Sequence, residues 1–461
     1  MTAHELQSIA QLGRMIRSGE VSPVELAESA IERLESTGRE LNAIAATTAD
    51  LAFAQARAAE EELSHSIDRG PLHGIPYGAK DLLATRGIPT SWGMAPFRDR
   101  VIDEDAAVVT SLREAGAVLT AKLAMVEGAG GFGYEQPDAA FTGPGKSALD
   151  PQAWSGGSSS GSGSAVGSGC VPFAIGTETW GSIHIPSAFN GLTGFRPTYG
   201  LVSKHGAMAL SRTMDKIGPL CLTAEDCGLV LAAIADGDSQ GRRGRRGWFE
   251  PPHPATGTMK IAVLKNAAES AQAEVGAAFQ GSLELLETFA SLEEVDLPEM
   301  PWEDVARVVI LVEGASAFEE FLLAGRAAEL TAPEDRTGLL EGLTVPAVDY
   351  LRTMRIRHIG MRQVDELLSR FDAIVAPASP FVAPPIDQNF KESFSRYSGP
   401  SLGAAGNLCG LPSISLPIGV GEQGLPASLE IMGRAWDDAK VIAIAMRYQN
   451  EIGWSPGGGT R

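Results

Sequence analysis

Cysteine is scarce in this 461-residue chain. Cys170, Cys221, Cys227 and Cys409 are the only four, and no two stand at CxxC spacing. That excludes a disulfide-stapled scaffold or a zinc ribbon, and leaves four small buried hydrophobes in a reducing, cytoplasmic compartment as the expectation. Positive charge is also short: 37 Lys and Arg stand against 57 Asp and Glu, a net charge of −20. Nucleic acid and anionic membrane are therefore not expected as partners. No run of about 18 apolar residues offers a membrane span. The opening MTAHELQSIAQLGRMIRSGE has no basic segment leading into an apolar run, so no signal peptide is expected. His184 has no second His or Cys at ligand spacing, and neither a metal nor a cofactor is expected. A phosphate-binding loop is excluded as well, because no lysine lies between Lys146 and Lys204.

Hydrophobic residues make up 44% of the chain and charged residues 20%, enough to bury a large core. Ser22-Pro23-Val24-Glu25 carries a capping box with proline at the first helical position, and Leu26, Ala30, Ile31 and Leu34 follow at helical spacing. Residues 1–70 read as an N-terminal helical layer. From Pro71 onward, buried strands are predicted at Val118–Thr120, Val171–Ile175, Lys260–Leu264, Ala373–Ala376 and Ile414–Pro417. They alternate with helices at 105–115, 160–169, 223–235, 270–290, 303–330, 357–370 and 437–450. The alternation predicts an α/β fold, a large sheet covered by helices on both faces. Residues 71–461 form the core, with a variable helical region at about 237–370 and one compact domain overall. The arginine-bearing stretch 237–257 reads as a solvated surface connection rather than a nucleic-acid site.

Residues 154–164, WSGGSSSGSGS, have the composition of a flexible linker, yet they run directly into strand-like sequence rather than into polar flanks. Gly157-Ser158-Ser159-Ser160-Gly161 formally matches a G-x-S-x-G nucleophile elbow. That motif needs a preceding strand, and DPQAW before it is turn-like. A second tight turn at Glu178–Ser182 carries Ser182, followed by a strand-like Ile183-His184-Ile185. Upstream, PLHGIPYGAKDLLATRGIPTSWG sets Lys80 between an apolar strand-like stretch and a helix start. Burial there disfavours the ammonium and makes Lys80 a candidate base. A permanent salt bridge to the adjacent Asp81 is the structural alternative.

Lys80, Ser158 and Ser182 in these surroundings resemble the amidase signature family. The resemblance spans residues 156–200 without gaps, and extends to HGIPYGAKD, FRPTYGLVS, MDKIGPL, FDAIVAPASP, GLPSISLPIGV and GLPASLEIMGRAWDD. It implies the amidase signature fold, with a large twisted mixed sheet. It also implies a nucleophilic Ser182, a bridging Ser158 preceded by a cis peptide bond, and a neutral Lys80 as base. Backbone N–H groups of Thr179, Trp180, Gly181 and Ser182 would form the oxyanion hole. A small-molecule amide is the implied substrate, and a homodimer the assembly found by analogy. Met125, Gly131, Phe132, Tyr134 and Trp180 are the candidate substrate-binding residues, each equally compatible with core packing, and they favour an apolar or aromatic substrate. Three positions depart from the family pattern: Trp180 where a glycine is usual, Glu178 for an aspartate, and His184 for an arginine. Two other functions stand beside a free amidase: the glutaminase component of a tRNA-dependent amidotransferase complex, and a silent binding protein whose oxyanion pocket Trp180 blocks.

Overall fold

The structure is a computed structural model that describes residues 6–235, 249–421 and 423–454. Most of the surface connection expected at 237–257, namely 237–248, lies outside the described residues. Eleven strands among these residues form a single mixed sheet. They are β1 (Ile44–Thr47), β2 (Pro76–Lys80), β3 (Val118–Leu123), β4 (Phe173–Glu178), β5 (Thr193–Arg196), β6 (Lys216–Cys221), β7 (Met259–Leu264), β8 (Ala290–Val295), β9 (Ala373–Pro377), β10 (Ser413–Val420) and β11 (Pro426–Met432). Their spatial order is β1-β3-β2-β4-β6-β5-β10-β11-β9-β7-β8. Two parallel groups, β3-β2-β4 and β9-β7-β8, are joined through an antiparallel centre. β2, β3, β4, β6 and β9 are buried at every residue. That continuous burial, rather than an alternating one, is what helices on both faces require. Among the described residues no helix is long and apolar enough to cross a membrane.

Several expectations shift. The first 70 residues are not purely helical, because β1 pairs antiparallel with β3 and forms the edge of the sheet. Its four residues are too few for a period-two signal. The helix expected at 303–330 divides into Trp302–Ala317, Glu319–Leu323 and a short turn at Arg326–Glu329. Ile183-His184-Ile185 is not a strand: a helix begins at His184 and runs to Phe189. No helix follows Lys80, which ends β2 and enters a turn.

The glycine- and serine-rich stretch is a tightly packed element. Ser155, Ser158, Ser159, Ser160, Ser162 and Ser164 are all buried, and a helix starts at Ser160. Gly161 shows why side chains are small here: a Cβ at this position would lie 2.3 Å from the Ala43 carbonyl oxygen and 2.6 Å from the Ala124 nitrogen. Both obstacles are backbone and cannot rotate away. Gly161→Ala is therefore expected to destabilise the fold by about 1–3 kcal/mol, seen as a lower urea midpoint. Gly281→Ala, on the exposed face of the helix Ala273–Glu287 with nothing near the added methyl, should raise that midpoint, a gain of about 0.5–1 kcal/mol through helix propensity.

Candidate active site

β2 and β4 are parallel neighbours and antiparallel β6 starts beside the end of β4, so Lys80, Thr177, Glu178 and Lys216 meet at one end of the sheet. Ligands of open α/β sheets bind outside the carboxyl ends of strands in the same way. Lys80 is completely buried. Its Nζ lies 2.8 Å from Ser158 Oγ, 2.9 Å from Ser159 Oγ and 3.0 Å from Thr177 Oγ1. Ser158 Oγ in turn lies 3.0 Å from Ser182 Oγ. The Gly157–Ser158 peptide bond is cis. The arrangement is therefore a hydrogen-bonded relay from Lys80 through Ser158 to Ser182.

The salt-bridge alternative for Lys80 does not hold. Asp81 is taken by Lys122 Nζ at 3.0 Å and by the backbone N–H and hydroxyl of Ser91. Lys122 and Lys80 sit on adjacent strands and both are buried. Of the two, only Lys122 has a carboxylate within salt-bridge distance among the described residues. Three hydroxyls suit Lys80 in either protonation state: an ammonium donates to all three, and a neutral amine donates to two and accepts from the third. Burial pushes the Lys80 amine down to about 7, against the opposing pull of Asp215 and Glu178. A substantial fraction of Lys80 is thus neutral near pH 7 and able to take a proton.

Ser182 lies at the end of a turn, Thr179–Ser182, with its side chain nearly buried and Trp180 and Gly181 half-exposed beside it. The left-handed conformation in this turn falls on Gly181 (φ 83°) and not on Trp180, so the tryptophan needs no strained backbone. The N–H groups of Trp180, Gly181 and Ser182 donate to no acceptor among the described residues. The Trp180 ring packs against the cluster of Met214, Val305, Val309, Ala404 and Leu408. Thr179 Oγ1 donates to Asp215 at 2.6 Å, and the Leu210 and Ser211 N–H groups donate to the same carboxylate. Burial raises the Asp215 carboxyl despite these donors.

A cavity of about 550 Å³ is lined by Thr177 and Thr179, by Leu82, Ala129 and Tyr199, and by residues 204–210, 212 and 215–217; Lys80, Ser158 and Ser182 do not line it, and Thr177, which hydrogen-bonds Lys80, connects it to the relay. Its walls mix Met208 and Leu210 with Lys204, Arg212 and Asp215.

The amidase family model matches residues 25–442. The chain belongs to the amidase family. It is an amide-hydrolysing enzyme built on the amidase signature fold. A solved amidase structure is 32% identical over 96% of this chain and 99% of its own, with a TM-score of 0.85. The peptide amidase from Stenotrophomonas maltophilia is 28% identical over 97% of both chains, again with a TM-score of 0.85. A glutamyl-tRNA(Gln) amidotransferase subunit from Legionella pneumophila (strain Corby) is 30% identical over 98% of each chain.

The candidate substrate-binding residues of this amidase separate into two groups. Met125 and Phe132 are fully buried, and Phe132 packs against Phe318 at 4.9 Å between ring centres. They are core residues behind the site rather than cavity lining, because hydrophobicity alone does not distinguish a pocket wall from the packing beneath it. Gly131 abuts Leu210, a cavity residue. Tyr134 packs edge-on against Trp154 and Phe390, which stack on each other, and its hydroxyl lies 2.9 Å from where a Cβ on Gly157 would sit. It therefore borders the Ser158 loop. Trp180 is half-buried in its apolar cluster. Ser159, Thr177 and Asp215 join the site without a sequence signal of their own kind. Ser159 could be suspected from its place beside Ser158, but nothing local marks Thr177 or Asp215.

Proposed function

We propose that this amidase cleaves a small linear amide through an acyl-enzyme on Ser182. The observation that carries the proposal is the continuous relay from Lys80 Nζ through Ser158 Oγ to Ser182 Oγ, at 2.8 and 3.0 Å, with no carboxylate among the described residues within salt-bridge distance of Lys80. Neutral Lys80 accepts the Ser158 hydroxyl proton while Ser158 accepts that of Ser182. Ser182 Oγ then adds to the amide carbonyl. The negative charge that forms on the carbonyl oxygen faces the unused N–H groups of the Thr179–Ser182 turn, each donor worth roughly 3 kcal/mol in such a role. Collapse expels the amine, which takes the proton back along the same relay, and water enters by the reverse sequence to release the acid. Carbamates and esters present the same carbonyl to the same nucleophile.

The cavity volume suits a small ligand. Its mixed walls favour an amide with an apolar portion against Leu82, Met208 and Leu210 and a polar end near Thr179. The preference for a wholly aromatic substrate loses support, since it leaned on Met125 and Phe132. The packing of Trp180 against the apolar cluster of Met214, Val305 and Leu408 counts against a silent binding protein. Four unpaired buried cysteines favour a reducing compartment.

A second reading has one specific observation in its favour. Several relatives, at 30–32% identity, are glutamyl-tRNA(Gln) amidotransferase subunits, which makes a glutaminase working with protein partners the alternative to a free enzyme. A panel of aryl acylamides, p-nitroanilides, primary amides including glutamine, and carbamates, read as kcat/KM on the purified chain, separates the two. A free amidase turns over at least one non-glutamine amide by itself. Glutamine-dependent ammonia release that appears only with co-purifying proteins overturns that reading.

The pH dependence has a definite sign. Only neutral Lys80 accepts a proton, so kcat is expected to rise as pH increases through about 7 and to level off above it. A profile that falls as pH rises through 7 contradicts Lys80 as the base.

A further inference from the structure

Glu178 ends β4 four residues before Ser182, and its buried carboxylate is the hub around which the nucleophile turn folds back. Oε2 accepts the backbone N–H of Ile183 at 2.9 Å and of His184 at 3.1 Å, and lies 2.8 Å from His184 Nδ1. Oε1 accepts from Arg196 Nη1 at 2.8 Å and from Asn407 Nδ2 at 2.9 Å. The far nitrogen of His184, Nε2, lies 3.1 Å from Ser413 Oγ and 3.7 Å from Glu430 Oε1. Ser413 itself donates to Glu430 at 2.7 Å. The imidazole thus spans from the end of β4 to β10 and β11, and the two residues directly after Ser182 are pinned, Ile183 by its backbone and His184 by backbone and side chain.

None of these groups touches the Lys80–Ser158–Ser182 relay, yet the geometry of that relay depends on where the chain leaves Ser182. A buried carboxylate holding five donors is a rigid anchor, because each donor it releases is left unpaired away from water. The imidazole is short and planar, so the separation of the anchor from β10 is filled by one acid length and one base length together. Shortening the acid alone withdraws Oε2 from the Ile183 and His184 N–H groups. Lengthening the base alone crowds Ser413 and Glu430.

We propose that Glu178 and His184 are a length-matched positioning pair that holds Ser182 Oγ in reach of Ser158, a role that rests on Ser182 being the nucleophile. They are positioning residues, since neither contacts the reacting atoms. The pair sets kcat and leaves substrate affinity to the cavity.

The test is a double-mutant cycle of Glu178→Asp, His184→Arg and the two combined. It is read as kcat, KM and the rate constant for fluorophosphonate labelling of Ser182, with thermal melts as the folding check. Each single change is expected to lower kcat and the labelling rate by about 10–100-fold, the scale of an ångström-sized misplacement, with KM within about three-fold. The combined variant, which moves length from acid to base, should recover at least ten-fold of that loss. Effects that simply multiply, or a KM that rises while kcat holds, overturn the pairing. Should Glu178→Asp not fold, His184→Gln and His184→Ala replace it. The amide still donates to Glu178 and should retain at least ten-fold more kcat than alanine, and equal kcat values overturn the proposal. Labelling that persists in Ser182→Ala overturns the nucleophile assignment itself. A multiplicative cycle with labelling confined to Ser182 overturns only the pair.

Discussion

Ser182→Ala is expected to lower kcat/KM by about 10⁵-fold while leaving the fold intact. The size follows from what is removed. Without Oγ no covalent intermediate forms, and loss of a nucleophile whose base and oxyanion donors act as a unit costs about 10⁶-fold in well-studied serine hydrolases. Ser158 cannot substitute, because its hydroxyl is held between Lys80 and Ser182 in the closed interior. A remnant of activity is expected from water attacking a carbonyl still polarised by the turn. Stability should change little: among the described residues the deleted hydroxyl has one hydrogen-bond partner, Ser158 Oγ, and Ser158 keeps Lys80. A melt shifted by more than a few degrees would signal structural damage instead, so activity and melt are read together.

Lys80→Met is expected to cost about 10³-fold in kcat and to erase the rise through pH 7. General-base contributions lie at about 10²–10⁴-fold. Methionine matches the buried aliphatic stem of lysine, which limits cavity formation, and it removes the only group of the relay that titrates near neutrality. Ser159 retains the Ser182 and Thr177 carbonyls as acceptors, so most of the hydroxyl network survives. Lys80→Arg is the sharper companion. A guanidinium stays charged at any working pH, so this variant keeps the positive charge and loses the base. If Lys80→Arg retains more than a tenth of the activity, Lys80 acts through charge alone and the proton relay is wrong. Lys122, equally buried but paired with Asp81, is the contrasting lysine: its replacement should lower stability and leave the pH profile in place.

That Lys80, Ser158 and Ser182 come together is legible in the sequence because the segments that carry them resemble the amidase signature motifs, and the structure places the three in one hydrogen-bonded row. The strands β3, β7, β9 and β10 are legible because continuous apolar runs bounded by glycine and proline have few other readings. What the sequence hides depends on contacts across the chain. His184 begins a helix although Ile183-His184-Ile185 has strand-forming residues, because the Glu178 carboxylate binds the N–H groups of 183 and 184. Thr177 and Asp215 join the site only when β4 and β6 pair. The cavity wall at 204–217 is hidden for the same reason. Met125 and Phe132 show the converse error, where a glycine-rich apolar segment suggests a pocket and the structure places both side chains in the core.

The central claim is that Ser182, and none of the serines clustered around Ser158, carries the acyl group. Its most direct test is to label the protein with a fluorophosphonate, digest it, and locate the modified peptide by mass spectrometry. A single adduct is expected on Ser182, formed faster as pH rises through about 7 and absent in Ser182→Ala. An adduct on Ser158 or Ser159, or one that survives in Ser182→Ala, would contradict it.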